Sequence, residues 1–306
     1  MNLAVIKRRI KPWMLPIAML GGVFCHEVIE KIAFLSQYLI FTMLLITFCK
    51  ISFREFRVTR LSWSLLAIQI IGALAVYFAL LPCGDAVAQG TFICVFCPTA
   101  TAAPVITGML DGNISRLATF SIISNVTVAI LAPILFTMMG SDAQMSMVES
   151  MLTISGRVLP MILLPLVLAM LLKKFLPKVH KGISDRQSVS FYIWSVALFI
   201  VVGKAVTFVM AEPTEKIPEM LLIALLSGIM CCAQFYYGRK IGNVNGDKVV
   251  GGQGLGQKNT ILAVWMTITY LNPLASIGPA AYVFWQNTIN SWQLYRRQRE
   301  KMEIEN

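Results

Sequence analysis

Residues 97–105 read CPTATAAPV and residues 250–260 read VGGQGLGQKNT, each inside an otherwise apolar run. The first sets small and hydroxylated residues between Pro98 and Pro104. A helix interior tolerates proline poorly, because the ring removes a donor and clashes with the preceding turn. The second interleaves Gly251, Gly252, Gly254 and Gly256 with Gln253, Gln257, Lys258 and Asn259, a poor composition for a helix that faces lipid. Both stretches are expected as helix breaks, with Pro98, Pro104, Gly254 and Gly256 exposing the backbone. Unsatisfied backbone groups cost several kcal/mol in hydrocarbon, so a broken helix persists at membrane depth only against protein or a water-filled cavity. Each break therefore marks a candidate site.

Composition supplies the membrane. Of 306 residues, 57% are hydrophobic and 13% charged, against ~25% charged in soluble domains. This excludes a disordered, nucleic-acid-binding or ordinary soluble protein. Apolar runs lie at about residues 12–25, 32–49, 61–82, 86–110 and 117–139, then at about 158–172, 188–210, 217–237, 249–271 and 274–295. At ~20 residues per transmembrane helix they predict ten crossings, the first and sixth being short. The formal charge of +11 reads as topology: the N-terminus, the even-numbered connections and the tail carry 21 of the 26 Lys and Arg, against Lys31 and Lys216 on the other side. The positive-inside rule then predicts cytoplasmic termini, in a bacterial inner membrane. Seven scattered cysteines form no disulfide framework, and Cys94 with Cys97 reads as packing rather than a metal pair.

The breaks fall in the fourth element of the first five and the fourth of the second five, and an odd repeat length inverts the second copy. One transporter domain over 1–306 is expected, with inverted repeats at 12–139 and 154–295 and a basic tail at 296–306. Interrupted segments at corresponding places of two halves point to the substrate site of a secondary transporter. The competing reading is that glycine only permits close helix packing.

These residues resemble the bile acid:sodium symporter family over essentially the whole chain. Cys97, Pro98, Thr101, Ala102 and Val105 match its CPGGTASNV-like motif, Gln257 matches the glutamine of its E-x-G-M-Q-N-S-like motif, and Trp285 with Asn287 matches a late W-x-N. The resemblance implies an all-α fold of ten helices, with a panel of helices 1, 2, 6 and 7 and a core of 3–5 and 8–10. Helices 4 and 9 would cross at their breaks, and an organic anion would enter between panel and core.

The departures bear on coupling. Where the sodium-coupled members have a Ser-Asn pair, this chain has Ala103 and Pro104, and Gln253 replaces the glutamate shared by both sodium sites. Leu117 stands at a serine position, while Gln69, Ser121 and Gln257 are what the resemblance leaves of a coupling-ion site. Lys258 follows Gln257 where the family has asparagine. A buried ammonium must be paired or neutralised, and no Asp or Glu lies near the middle of a predicted span. Lys258 is read as a tethered cation that replaces sodium and attracts a carboxylate or sulfonate, against the alternative that it snorkels to water. Buried lysines can titrate near neutrality, so the coupling ion is left as sodium, a proton or none. Lys204, mid-span in the seventh run, is a second candidate anion-attracting charge.

The expected function is alternating-access transport of a small organic anion, with Thr99, Thr101, Lys258, Asn259 and Asn287 at the substrate and Gln69, Ser121, Gln253, Gln257 and Lys258 at the coupling site. The second reading is a membrane sensor or channel-like facilitator without ion coupling. No cofactor, metal or nucleic acid is expected beyond the coupling ion, the bilayer being the other partner. Neither a nucleophile–base pair nor an HExxH motif suggests an enzyme.

Overall fold

A computed structural model describes residues 14–50, 57–100, 103–139, 147–185, 187–211 and 213–305. Secondary structure there is helical, apart from one isolated antiparallel bridge between Thr99 and Lys258. In chain order the helices are α1 Met14–Phe24, α2 Leu35–Lys50, α3 Arg60–Leu80, α4 Asp85–Phe96, α5 Ala103–Met109, α6 Ile114–Met139, α7 Met147–Phe175, α8 Pro177–Ser184, α9 Gln187–Ala211, α10 Ile217–Val244, α11 Lys248–Gly256, α12 Thr260–Tyr270 and α13 Ile277–Glu305. Four helical stretches among the described residues are long and apolar enough to cross a membrane: Arg60–Cys83, Ile114–Met139, Val148–Phe175 and Thr214–Val244. Shorter apolar helices include Leu35–Cys49, Asp85–Phe96, Ser195–Thr207 and Thr260–Tyr270. With the apolar composition, these helices make the chain an integral membrane protein.

Local chemistry sets the ends. Thr59 caps α3, accepting from the Ser62 N–H while the Ser62 hydroxyl accepts from the Thr59 N–H, a reciprocal box that satisfies two groups a helix start leaves open. Asp247 caps α11 by accepting from Val250 N–H at 3.1 Å. Proline at the start of α8 and α10 costs nothing, since the first turn has no intrahelical use for its N–H.

The chain divides into two compact units, residues Met1–Lys50 with Leu164–Thr214, and Ile51–Leu163 with Glu215–Asn306. The division cuts across both of the expected repeats, and α7 is shared between the units. In the first unit, α9 packs on α1 and α2. Gly22 permits the approach, for a Cβ there would meet the Phe199 carbonyl at 2.7 Å.

The second unit holds both expected breaks. Leu61, Leu65, Leu66, Ala103, Leu117, Phe120, Val250 and Leu255 form one of its buried clusters. Its α10 and α11 touch backbone to backbone, because Gly238 and Gly242 face Gly251. At one end of the unit Arg297 Nε lies 2.8 Å from Asp111 and Arg116 lies 3.8 Å from Asp247, with Gly112 against Val249. The connection that follows α5 therefore meets α13, and the start of α6 meets the connection that follows α10. The basic tail expected at 296–306 lies in the continuation of α13 through Glu305. One expectation is corrected. The glycine-rich stretch is helical through Gly256, because its glycines sit against neighbouring backbone and rings and leave the helix intact.

Candidate functional site

The two breaks of the second unit meet. Between α4 and α5, Ala100 N–H donates to the Gln257 carbonyl at 3.0 Å; between α11 and α12, Asn259 N–H donates to the Pro98 carbonyl at 2.8 Å. Thr99 and Lys258 form the bridge between them. Each stretch thus satisfies part of the other's backbone. Proline at position 98 loses nothing here, since its carbonyl alone is used.

A helix leaves its last four carbonyls without intrahelical partners, and at membrane depth water cannot supply them. Side chains do so at the end of α4. Gln234 Nε2 donates to Cys94 O at 3.2 Å, Lys258 Nζ to Val95 O at 2.8 Å, and Gln69 Nε2 to Phe96 O at 2.7 Å and Cys97 O at 3.2 Å. At the end of α11, Thr99 Oγ1 donates to Gly254 O and the Tyr282 hydroxyl to Gly256 O, each at 2.9 Å. Asn259 caps α12 by accepting from Leu262 N–H at 3.3 Å. The Gln69 carbonyl oxygen in turn accepts from the Ser124 hydroxyl at 2.8 Å. Gln69→Leu leaves two buried carbonyls without their side-chain donor and the Ser124 hydroxyl without its acceptor, so at about 1–3 kcal/mol for an unsatisfied buried group it is expected to lower thermal stability by several degrees in a detergent melt. An unchanged midpoint would remove the capping role.

Lys258 is 1% exposed, among the largest fully buried side chains, so it does not snorkel to water. Its ammonium sits at the carbonyl end of α4, where the helix dipole favours a cation. Its backbone N–H donates to Gln286 Oε1 at 3.0 Å. The ionisable groups around it are the thiols of Cys94, Cys97 and Cys231, and no carboxylate pairs with it among the described residues.

The structure places the other candidates unequally. Thr99, Lys258 and Asn259 lie at the crossing, buried; Pro98 lies in the first break. Pro104 is the second residue of α5, past that break. Gly254 and Gly256, expected as break residues, form the last turn of α11, and the interruption is confined to Gln257–Asn259. Thr101, with Ala102, lies outside the described residues. Asn287 donates its amide to Val283 O within α13, while Gln286, one residue earlier and so on another face, accepts from the Lys258 backbone N–H. Gln69 is committed to the α4 carbonyls. Gln253 Nε2 donates to Asn290 and Gln293, and the side-chain amide oxygens Oε1 of Gln253 and Gln257 are buried without a partner among the described residues. Ser121 is buried in α6, where its carbonyl accepts from Asn125 Nδ2. Lys204 is half-buried in α9, in the first unit. Gln234, Tyr282, Gln286 and Ser124 were not anticipated, although a polar residue inside an apolar run is itself a signal of function or helix contact.

A family model for the SBF-like CPA transporter family matches residues 48–281. The chain belongs to that family. The match covers both breaks and Lys258, and it ends before Gln286. No curated protein matches the sequence. As an SBF-like family member the chain is a membrane transporter and not an enzyme, and the resemblance to the bile acid:sodium symporters drawn from its motifs agrees with that membership.

Proposed function

We propose that this chain is a secondary transporter of a small organic anion, working by alternating access and carrying its own cation in place of sodium. One observation carries the reading: Lys258, at the crossing of two broken helices, is a buried ammonium whose acceptor among the described residues is a single carbonyl. An ammonium has three donors, and Val95 takes one. The other two suit a carboxylate or sulfonate, which would also supply the countercharge that none of the described residues does. A sodium ion beside Lys258 would face like charge, and Gln253 and Gln257 offer it only neutral oxygens. Ten crossings in two inverted five-helix repeats, in a bacterial inner membrane with cytoplasmic termini, complete the reading. The pairs Arg297–Asp111 and Arg116–Asp247 support that topology by joining the fourth connection to the tail and to the eighth connection.

The experiment is uptake of labelled carboxylates and sulfonates into proteoliposomes under separate sodium and proton gradients. Accumulation is expected without sodium, in the proton gradient or by exchange with internal anion. Strict dependence on sodium would overturn the tethered-cation reading, and equilibration without accumulation would mark a facilitator.

A further inference from the structure

Helix α13 carries two stripes with different partners. Gln286 reaches Lys258, Asn290 and Gln293 reach Gln253, and Arg297 reaches Asp111; spaced by three or four residues, they share one face. Trp292, Tyr295, Arg296 and Arg299 follow the same spacing on another face. With Glu300 they line an open cleft of about 410 Å³. Trp292 and Tyr295 are more than half exposed, and the Arg296 guanidinium lies 5.9 Å from the Trp292 ring centre.

We infer that this outer cleft is a binding site for the phosphate headgroup of an anionic phospholipid. Helix length supports the placement. The 29 residues of α13 rise ~43 Å at 1.5 Å each, more than the ~30 Å hydrocarbon core of a bilayer. Twenty residues from Ile277 reach Arg296. The aromatic pair then falls at the hydrocarbon boundary, where Trp and Tyr collect because one part of each ring is apolar and the other polar. Arg296 and Arg299 stand one turn further out, level with headgroups. Charge points the same way. Among the described lining residues two are arginines and one, Glu300, is an acid, which lies within 3.2 Å of both Arg296 and Arg297. A planar guanidinium over an indole ring is held ready to meet phosphate oxygens in a fork. A soluble anion would find the arginines but would have no use for the exposed rings below them. Trp292 lies six residues beyond Gln286, about 9 Å along the axis, so a lipid here grips the helix whose inner stripe supports Lys258.

The test is native mass spectrometry of the full-length protein in detergent, offered phosphatidylglycerol and phosphatidylcholine together. Preferential retention of phosphatidylglycerol is expected. A basic side chain near a membrane surface contributes ~1 kcal/mol, about five-fold, so R296Q/R299Q is expected to lower that retention about 25-fold and R296K/R299K to recover most of it. Equal retention of the two lipids, or an unchanged preference in R296Q/R299Q, would overturn the site. Release by millimolar inorganic phosphate alone would also overturn it, since that marks a free-anion site. If R296Q/R299Q does not fold, the wild-type protein decides: retention of phosphatidylglycerol that ignores raised salt contradicts a headgroup held by charge.

Discussion

Gly251→Ala is expected to remove most folded protein. A Cβ at this position would land inside contact distance of the Gly238 carbonyl oxygen and of the Gly242 backbone. Those atoms belong to α10, not to the end of a flexible side chain, so relief requires two helices to separate. Overpacking a rigid contact costs ~1–3 kcal/mol, occasionally more, and here the upper end is expected because backbone meets backbone. The displaced helix is α11, whose last turn holds Thr99 through Gly254 and leads into the Gln257–Ala100 contact, so transport should fall with stability. Gly156→Ala is the comparison. Gly156 lies within α7 with nothing inside 4 Å of an added Cβ, and alanine favours helix over glycine by ~0.5–1 kcal/mol. Fluorescence-detected size exclusion and thermal melts of both variants measure the difference. Equal behaviour of the two would mean that the close approach of α10 and α11 does not hold the unit together.

The glycines also show where the sequence was legible and where it was not. Proline has one local meaning, a fixed φ and a missing donor, and the break at Pro98 could be read from it. Glycine has two, a place to break and a place to pack, and only the neighbour decides between them. In α11 the neighbours are Gly238 for Gly251, Phe120 and Leu65 for Gly254, and Phe235 for Gly256, none of which a local pattern reveals, so Gly254 and Gly256 were assigned to a break that begins at Gln257. Lys258 was legible because charge inside an apolar run is costly wherever it occurs. Its partners were not. Val95 lies 163 residues away in sequence, and Gln286 rather than Asn287 faces it for reasons of helical phase, which a motif match to Trp285 and Asn287 does not fix. Gln69 was singled out as a remnant ion ligand. In the structure it is first a cap for α4, a role that follows from the broken helix's orphan carbonyls and that could have been asked of any buried amide near the break.

Lys258→Met is expected to separate function from stability. Methionine keeps the length of the side chain and removes the charge. The Val95 carbonyl loses its donor, at a cost of ~1–3 kcal/mol. Against this, the protein no longer keeps an ammonium out of water, and replacing a buried charge by an apolar side chain of similar volume is often neutral or stabilising by ~1–4 kcal/mol. The two effects are of similar size and opposite sign, so the melting temperature should stay near the wild-type value or rise. Transport has no such compensation. A hydrogen bond to a charged group contributes ~1.5–3 kcal/mol, so the anion's affinity should fall roughly 10- to 100-fold. Lys258→Asn, which places here the residue that the resemblance assigns to the sodium-coupled members, is not expected to create sodium dependence, because Ala103, Pro104 and Gln253 stand where that resemblance puts the other ligands. Melts in detergent, anion binding by calorimetry and uptake with and without sodium read the three quantities separately. If Lys258→Met unfolds while the little that survives binds anion normally, the ammonium is a helix cap and nothing more. If it folds and transports at the wild-type rate, the charge at the crossing has no part in recognition.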